Sequence, residues 1–399
     1  VKIMGLVPIT LVTSLFLFAC APKSIAPGNP APLEIQSKVQ PADTSTSTLG
    51  QSQPSDAEGW QRIWEKTLAG AKKERKVIVY GPPGSDIRKA MTEEFQKAYP
   101  FVEVEWVGSM GAATVPRIKA ERRAGLYNVD LHIGGTTSIM TDLMQFALPI
   151  EPLLVLPETK DGKFWMGGKL DFADRAGKYN LVMSTFGKVA IAYNPSLVDS
   201  KKVQEMSYWD LTRPELKGKV IIRDPRTAGP GQATFTFLYA HPQLGQDMIR
   251  ALAKNDIVLS REDRQMLEFV SQGKFAIANG YSDAPLNELK KLGIPNMKTQ
   301  PVLKEGTYST AGLGSLMMFD NAPHPDSAMV YANWLLSKEG QTAWSISYGN
   351  PSRRIDVPTG HLDPEVLIKP GVNYIGTYRE EEQEPKDKMM PLLFEVLGR

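Results

Sequence analysis

Three short loops in the first half of the chain have the composition of an anion cradle. They are Gly81-Pro82-Pro83-Gly84, Gly108-Ser109-Met110-Gly111 and Gly134-Gly135-Thr136-Thr137. Glycine lets a ligand approach the main chain closely. Each loop precedes a helix-forming stretch, so unpaired N–H groups would face the same space. Gly81, Gly84, Ser109, Gly135, Thr136 and Thr137 are therefore the expected contacts; the two threonines also have the chemistry of helix caps. In the second half, Arg223 stands before Asp224-Pro225 at the end of an apolar run. Its guanidinium suits an organic acid or phosphonate, and Arg223 and Asp224 are the expected ligand contacts from this half. The plainer alternative is a surface ion pair between Arg223 and Asp224.

Covalent catalysis finds little support. The chain has no G-x-S-x-G, no H-E-x-x-H and no G-x-x-x-x-G-K-[ST]. Its one cysteine, Cys20, lies near the start. The four histidines are scattered without metal-ligand spacing, so neither metal nor cofactor is expected. His132 lies inside a predicted strand and is expected to be buried. His241 and His324 precede prolines, which marks a turn or helix entry.

These residues need elements to position them, and the pattern supplies an α/β fold. Ser55 and Glu58 have capping-box spacing, and Trp60, Trp64 and Leu68 share a helix face. Val77–Tyr80 reads as a buried strand, followed by a helix with Ile87, Met91 and Phe95 on one side. Val102, Val104 and Trp106 alternate with glutamates, as in a strand with a wetter face. A helix through Val115, Ile118 and Arg122 and a third strand, residues 129–133, complete strand–helix–strand–helix–strand. That order predicts a parallel sheet, with ligand-binding loops at its carboxyl edge. A second unit follows: a strand at 218–225, a loop at 227–232, a helix at 233–240 and a strand at 275–279. The run 181–193 is expected to cross between the two units. Trp165 is expected in the core and Glu380–Glu382 on a solvated helix face.

The chain has 399 residues, enough for two domains, and its 46 basic and 44 acidic side chains nearly balance. That balance offers nucleic acid no basic face. Met4–Ala19 is almost wholly apolar, too short for a comfortable membrane span and right for a secretory signal. It ends Leu17-Phe18-Ala19-Cys20, which resembles the lipobox of bacterial lipoproteins. That resemblance implies cleavage before Cys20, a lipid on its sulfur, and a location on the cell membrane facing the periplasm or outside. Residues 21–55 are rich in Pro, Ser, Thr, Ala and Gln, the composition of a flexible tether.

Six segments together resemble a known family: KVIVYGPPG at 76–84, EFQKAYPFVEVEW at 94–106, AERRAGLYNVDLHIGG at 120–135, VAIAYNPSLV at 189–198, WDLTRPELKGKVIIRDP at 209–225 and APHPDSAMVYANWLLSKEGQ at 322–341. They are similar to extracellular solute-binding proteins of iron(III)-type ABC importers. The resemblance implies a two-lobed type 2 periplasmic-binding-protein fold, each lobe a mixed sheet flanked by helices, with the ligand cleft at the hinge. It implies a signal at 1–19, anchor and tether at 20–56, lobe 1 at 57–190, lobe 2 at 191–308, a return to lobe 1 at 309–361 and C-terminal helices on lobe 2 at 362–399. The implied partners are a small-molecule solute and ABC permease subunits, the protein itself being a monomer. In iron-binding members two adjacent tyrosines, a histidine and a carboxylate hold the metal. Here Tyr281 stands at the tyrosine position but its neighbour is Ser282. The first loop has no histidine, and the third has Gly135-Thr136 where the carboxylate would sit. The expected cargo is therefore a small anion contacted by Tyr281, with ferric iron, aided by Asp283, as the alternative. A ligand-sensing lipoprotein and a surface-anchored enzyme are the competing classes.

Overall fold

The computed structural model describes residues 56–109 and 111–398. Cys20, the tether and the Ser55 cap fall outside the described residues. Helix Asp56–Glu74 comes first and packs Trp64 and Leu68 onto the first core. It stops where Arg75 turns to a φ of 59°, and Lys76 already belongs to the next strand.

Strands β1 (Lys76–Gly81), β2 (Glu103–Gly108) and β3 (Leu131–Gly134) run parallel in the order β2-β1-β3. Val79 lies beside Trp106 on one side and Leu131 on the other. Helices Ser85–Ala98 and Gly111–Arg123 make the two crossovers. β4 (Ala147–Leu148) and β5 (Asp171–Phe172) follow. The run 181–193 is wholly buried, and it is not one strand but three. These are β6 (Leu181–Val182), β7 (Phe186–Gly187) and β8 (Ile191–Tyr193). β9 (Val220–Arg223), β10 (Val258–Ser260), β11 (Ile277–Asn279) and β12 (Lys298–Gln300) complete the second unit. β13 (Thr307–Thr310), β14 (Ser315–Phe319) and β15 (Tyr374–Gly376) come last.

The strands form three sheets. The first, in lobe 1, runs β2-β1-β3-β14-β6-β5, with β4 also paired to β14. The second, in lobe 2, runs β10-β9-β11-β8-β12. β15-β13-β7 is a small third sheet. Its strands belong to the passages between lobes: β7 lies between β6 and β8, and β13 between β12 and β14. The hinge is thus a hydrogen-bonded sheet rather than loose linkers. Gly187 pairs with Ser309, and Tyr308 with Ile375.

Both faces of the central strands are covered, which is why these read as continuous apolar runs, while β2 at the edge keeps Glu103 and Glu105 exposed. Leu316 and Met318 of β14 face one core with Val77, Val79, Leu131 and Ile133. Met317 and Phe319 face the other, with Tyr80, Val115 and Ile118. In lobe 2, Val220 and Ile222 divide from Ile221 in the same way. Trp165 is a core residue, its indole N–H donating to the Thr159 carbonyl at 2.9 Å. His241 ends one helix and His324 caps another, as their prolines require.

Two further expectations are corrected. The helix expected at 233–240 begins at Pro230, because proline is preorganised for the first helical position and leaves no N–H unpaired. The run Glu380–Glu382 is a short turn, not a solvated face. The Glu382 carboxylate accepts the Tyr378 and Arg379 amides, each at 2.8 Å, and Glu380 accepts the Arg175 amide at 2.8 Å. These bonds secure the chain to lobe 1 before helix Gln383–Leu397 packs onto lobe 2 helices Pro230–Ala240 and Gly245–Lys254.

Gly81 ends β1 because nothing larger fits. A Cβ there would fall 2.1 Å from the Trp106 indole, itself 8% exposed and donating to the Pro82 carbonyl. Gly81→Ala is expected to lower stability by about 1–3 kcal/mol through overpacking. A Trp106→Leu background should recover part of that loss in urea unfolding.

His132, on β3, is 1% exposed. Its Nδ1–H donates to the Tyr80 carbonyl at 3.0 Å, while Nε2 has no partner within the protein. Gly134 leaves room for that nitrogen; a Cβ there would approach it to 2.4 Å. Burial holds the imidazole down to about 4. Below about pH 6.5 the unfolded chain therefore takes up a proton that the folded chain refuses. Stability should fall from pH 6.5 to about 4, by about 3 kcal/mol in all, and level off below. His132→Phe should flatten that slope in a pH series of denaturation midpoints, whatever it does to stability at neutral pH.

Candidate functional site

The loops expected to bind a ligand fall at strand ends, and they differ in character. Gly84 is exposed, with a φ of 136°, and precedes helix Ser85–Ala98. Ser109 is half-buried and its amide donates to the Gly81 carbonyl at 2.9 Å, joining the first two loops. Gly135 and Thr137 are half-buried, and Thr136 is 3% exposed. The helix opened by Gly135 is only Thr136–Ser138 before the chain changes pitch. The Thr136 carbonyl accepts from the Asn180 side chain at 3.0 Å, so this loop is held from behind.

On lobe 2 the structure separates Arg223 from Asp224. Arg223 reaches the Asp263 carboxylate at 2.8 Å, not Asp224 as its plainer alternative supposed. Asp224 is 3% exposed and is held by Arg226 through Nε at 2.8 Å and Nη2 at 3.0 Å. Arg261 adds a longer contact at 3.3 Å. The Arg226 guanidinium holds the Asp224 carboxyl below the usual carboxylate range. Arg226 also donates to the carbonyls of Leu397 and Gly398. Asp224 therefore ties the loop after β9 to the end of the C-terminal helix.

Tyr281 follows β11 and is fully buried. Gly280 before it turns at a φ of 74° and lies close against Gly231 and Thr234 at the start of helix Pro230–Ala240. The Tyr281 hydroxyl has no hydrogen-bond partner within the protein. Burial, with the nearby Asp283 charge second, pushes its phenol well above the usual range. At neutral pH it is a protonated donor. Ser282 donates its hydroxyl to Asp263, which links the Tyr281 loop to Arg223.

Lys188, between β7 and β8, is the residue that sequence reasoning missed. Its side chain is 4% exposed and pairs with the Asp283 carboxylate, itself 14% exposed. The ammonium also lies 5.3 Å from the Tyr281 ring centroid. Its main chain is held in the hinge: its N–H donates to the Tyr308 carbonyl at 2.9 Å, and its carbonyl accepts from Thr307 at 2.8 Å. A signal was available. Lys188 is the only charged residue in the thirteen-residue run 181–193.

Asp283 opens helix Asp283–Lys291. Asn287 of that helix lies beside Gly349, at the end of lobe 1 helix Lys338–Tyr348. The Tyr348 phenol is pushed up by burial and, second, by the Asp283 charge. The Lys188–Asp283 pair thus sits where hinge, lobe 1 and lobe 2 meet. Two cations and two carboxylates line this region, Lys188 with Asp283 and Arg223 with Asp263. Among the described residues, no three His, Cys, Asp or Glu side chains converge as metal ligands.

Comparison with known proteins agrees with this architecture. Residues 80–342 match the model of the family described as bacterial extracellular solute-binding protein. An uncharacterized protein of Haemophilus influenzae is 26% identical over 276 residues, covering 67% of this chain and 75% of that one. Iron-bound HitA from Pseudomonas aeruginosa superposes with a TM-score of 0.58 at 17% identity, over 80% of this chain and 99% of the other. AfuA from Actinobacillus pleuropneumoniae, with fructose-6-phosphate bound, gives 0.55 at 18%, over 80% and 98%. Apo ferric ion-binding protein A from Pasteurella haemolytica gives 0.62 at 16%, over 81% and 98%. At these identities the structural likeness is one of fold: two lobes, each an α/β layer, joined by a hinge. The family match covers more than half of the chain, and on it this protein belongs to the bacterial extracellular solute-binding proteins.

Proposed function

We propose that this protein is a lipid-anchored carrier that captures a small anionic solute and delivers it to an ABC import permease. One observation carries the choice of an anion. A buried ammonium, Lys188, and a buried hydroxyl without a protein partner, Tyr281, lie together beside the hinge. Arg223 joins them through Asp263 and Ser282. A buried donor left unpaired is costly, and a ligand acceptor would satisfy it. From lobe 1, the amides after Gly84 and Gly135 would complete the contact.

Iron, which HitA is described as binding, is the second reading. It is supported less well here. Ser282 replaces the second tyrosine, the loop 81–84 has no histidine and the loop 134–137 has no carboxylate, whereas hard Fe(III) calls for several anionic oxygen ligands. A sensor would use the same cleft but report to a receptor. An enzyme would turn its ligand over. The family's own description names binding.

Native mass spectrometry of protein purified from its source should reveal a retained anionic solute. A metal assay on the same sample, finding stoichiometric iron instead, would replace the anion reading. Calorimetry with the recovered solute should show Tyr281→Phe and Arg223→Ala each weakening affinity about tenfold or more, the value of a hydrogen bond to a charged group. Tyr281→Phe should leave the empty protein as stable as before, because it removes a hydroxyl that bonds nothing in the protein.

Anchoring is tested separately. Cys20→Ser should abolish incorporation of labelled fatty acid and move the protein out of the membrane fraction, with solute affinity unchanged.

A further inference from the structure

We propose that Asp283 is an internal counter-ion that occupies Lys188 while the site is empty and is displaced by the phosphoryl or phosphonyl dianion of the solute. This rests on reading the site as an anion binder. The Lys188 ammonium is 4% exposed and cannot stand uncompensated there without a cost of several kcal/mol. Asp283, at the head of helix Asp283–Lys291, compensates it.

The geometry gives the displaced carboxylate somewhere to go. Asp283 is the first residue of helix Asp283–Lys291, and the cap position before it, Ser282, makes no side-chain bond to the helix amides. Ser282 spends its hydroxyl on Asp263 instead. The positive end of the helix dipole favours negative charge on this turn, where Asp283 and Ala284 carry amides and Pro285 has none. Lys188 is then free to bind the solute, with the Tyr281 ring centroid 5.3 Å away and the unpartnered hydroxyl of that ring as a further donor.

Displacement also explains which anions succeed. A monocarboxylate offers Lys188 no more than Asp283 already does, and it must be brought in from solution. A dianion with three acceptor oxygens offers more charge and a second acceptor for Tyr281 or Arg223. The internal carboxylate therefore sets a threshold that selects against singly charged acids. Apparent affinity falls by the fraction of time that Lys188 is free, so a Lys188 free one-tenth of the time binds about tenfold more weakly.

The test uses the full chain with inorganic phosphate and acetate as probes, at about pH 8 where phosphate is a dianion. Wild type should bind phosphate more tightly than acetate. Asp283→Asn should bind phosphate at least about tenfold more tightly and narrow the gap between the two anions. The empty variant should melt lower than wild type and recover on adding phosphate but not on adding chloride at equal ionic strength. Lys188→Met in the Asp283→Asn background should remove the phosphate response. Phosphate binding by Asp283→Asn that is equal to or weaker than wild type overturns the counter-ion role and leaves the anion reading standing. A wild-type protein that binds neither probe and retains a neutral solute overturns both.

Discussion

A charged ammonium buried where two lobes meet constrains everything around it. Lys188 is almost inaccessible to water, and removing the partner of such a charge is far more damaging than removing both groups together. Its partner cannot come from its own segment, because every neighbour from Leu181 to Tyr193 is uncharged. It comes from Asp283, about a hundred residues later, at the head of a lobe 2 helix. The electrostatic requirement thus joins the hinge segment to the loop that carries Tyr281. The small sheet β15-β13-β7 supports this union from behind. Thr307 and Tyr308 of β13 take both main-chain bonds of Lys188, so the side chain has little freedom to turn away.

The same sheet restricts how the lobes can move. A crossing made of single strands would swing about any soft dihedral. Here β7 and β15 are both bonded to β13, so motion is channelled into the residues where the strands change sheet. Those are the short steps between β6 and β7, between β7 and β8, and between β13 and β14. Two of them carry polar anchors: Ser184 donates to the Pro351 carbonyl at 2.7 Å, and Lys188 meets Asp283. A hinge built from a few element-terminal residues is the usual form of domain closure. The chain between Arg379 and Glu382 adds a further tie. Arg379 bonds the Asp171 carboxylate at 2.7 Å, and the following helix lies on lobe 2.

Much of the fold was legible because the central strands of both main sheets are covered on both faces. Apolar runs such as Val77–Tyr80 and Val220–Ile222 are what such strands look like in sequence. The prolines after His241 and His324 likewise marked real helix boundaries. Residues 181–193 were misleading as a unit. A mostly apolar run without a turn signal reads as one strand, yet it holds three, because the changes of sheet are made by buried residues, Ser184 and Lys188 among them. The site was less legible, for a related reason. Spacing shows that Gly81 ends a strand but not that the Trp106 indole occupies the space a side chain would need. Adjacent letters suggested that Arg223 pairs with Asp224, whereas side chains on successive strand residues point to opposite faces. Arg223 meets Asp263 from one face, and Asp224 meets Arg226 on the other. Lys188 was visible only as an oddity. Its meaning depends on Asp283, and that contact spans too much sequence for any local pattern to report.

A site lined by compensated pairs also suits a protein that must both capture and release. Two unpaired cations in a cleft would bind any anion tightly, and the closing lobes would have to bury them even when nothing was bound. Pairing Lys188 with Asp283 and Arg223 with Asp263 lets the empty protein keep its charges out of water without an uncompensated field. In the proposed exchange the solute would replace one partner by another rather than fill a vacuum of charge. Exchange has a smaller net free energy than simple neutralisation, so affinity is moderate for the number of charges involved. It is also more selective, since the solute must outdo a carboxylate already in place. Under the proposed exchange, release would return the internal carboxylate to its lysine, and the group that performs that return is carried in the chain itself.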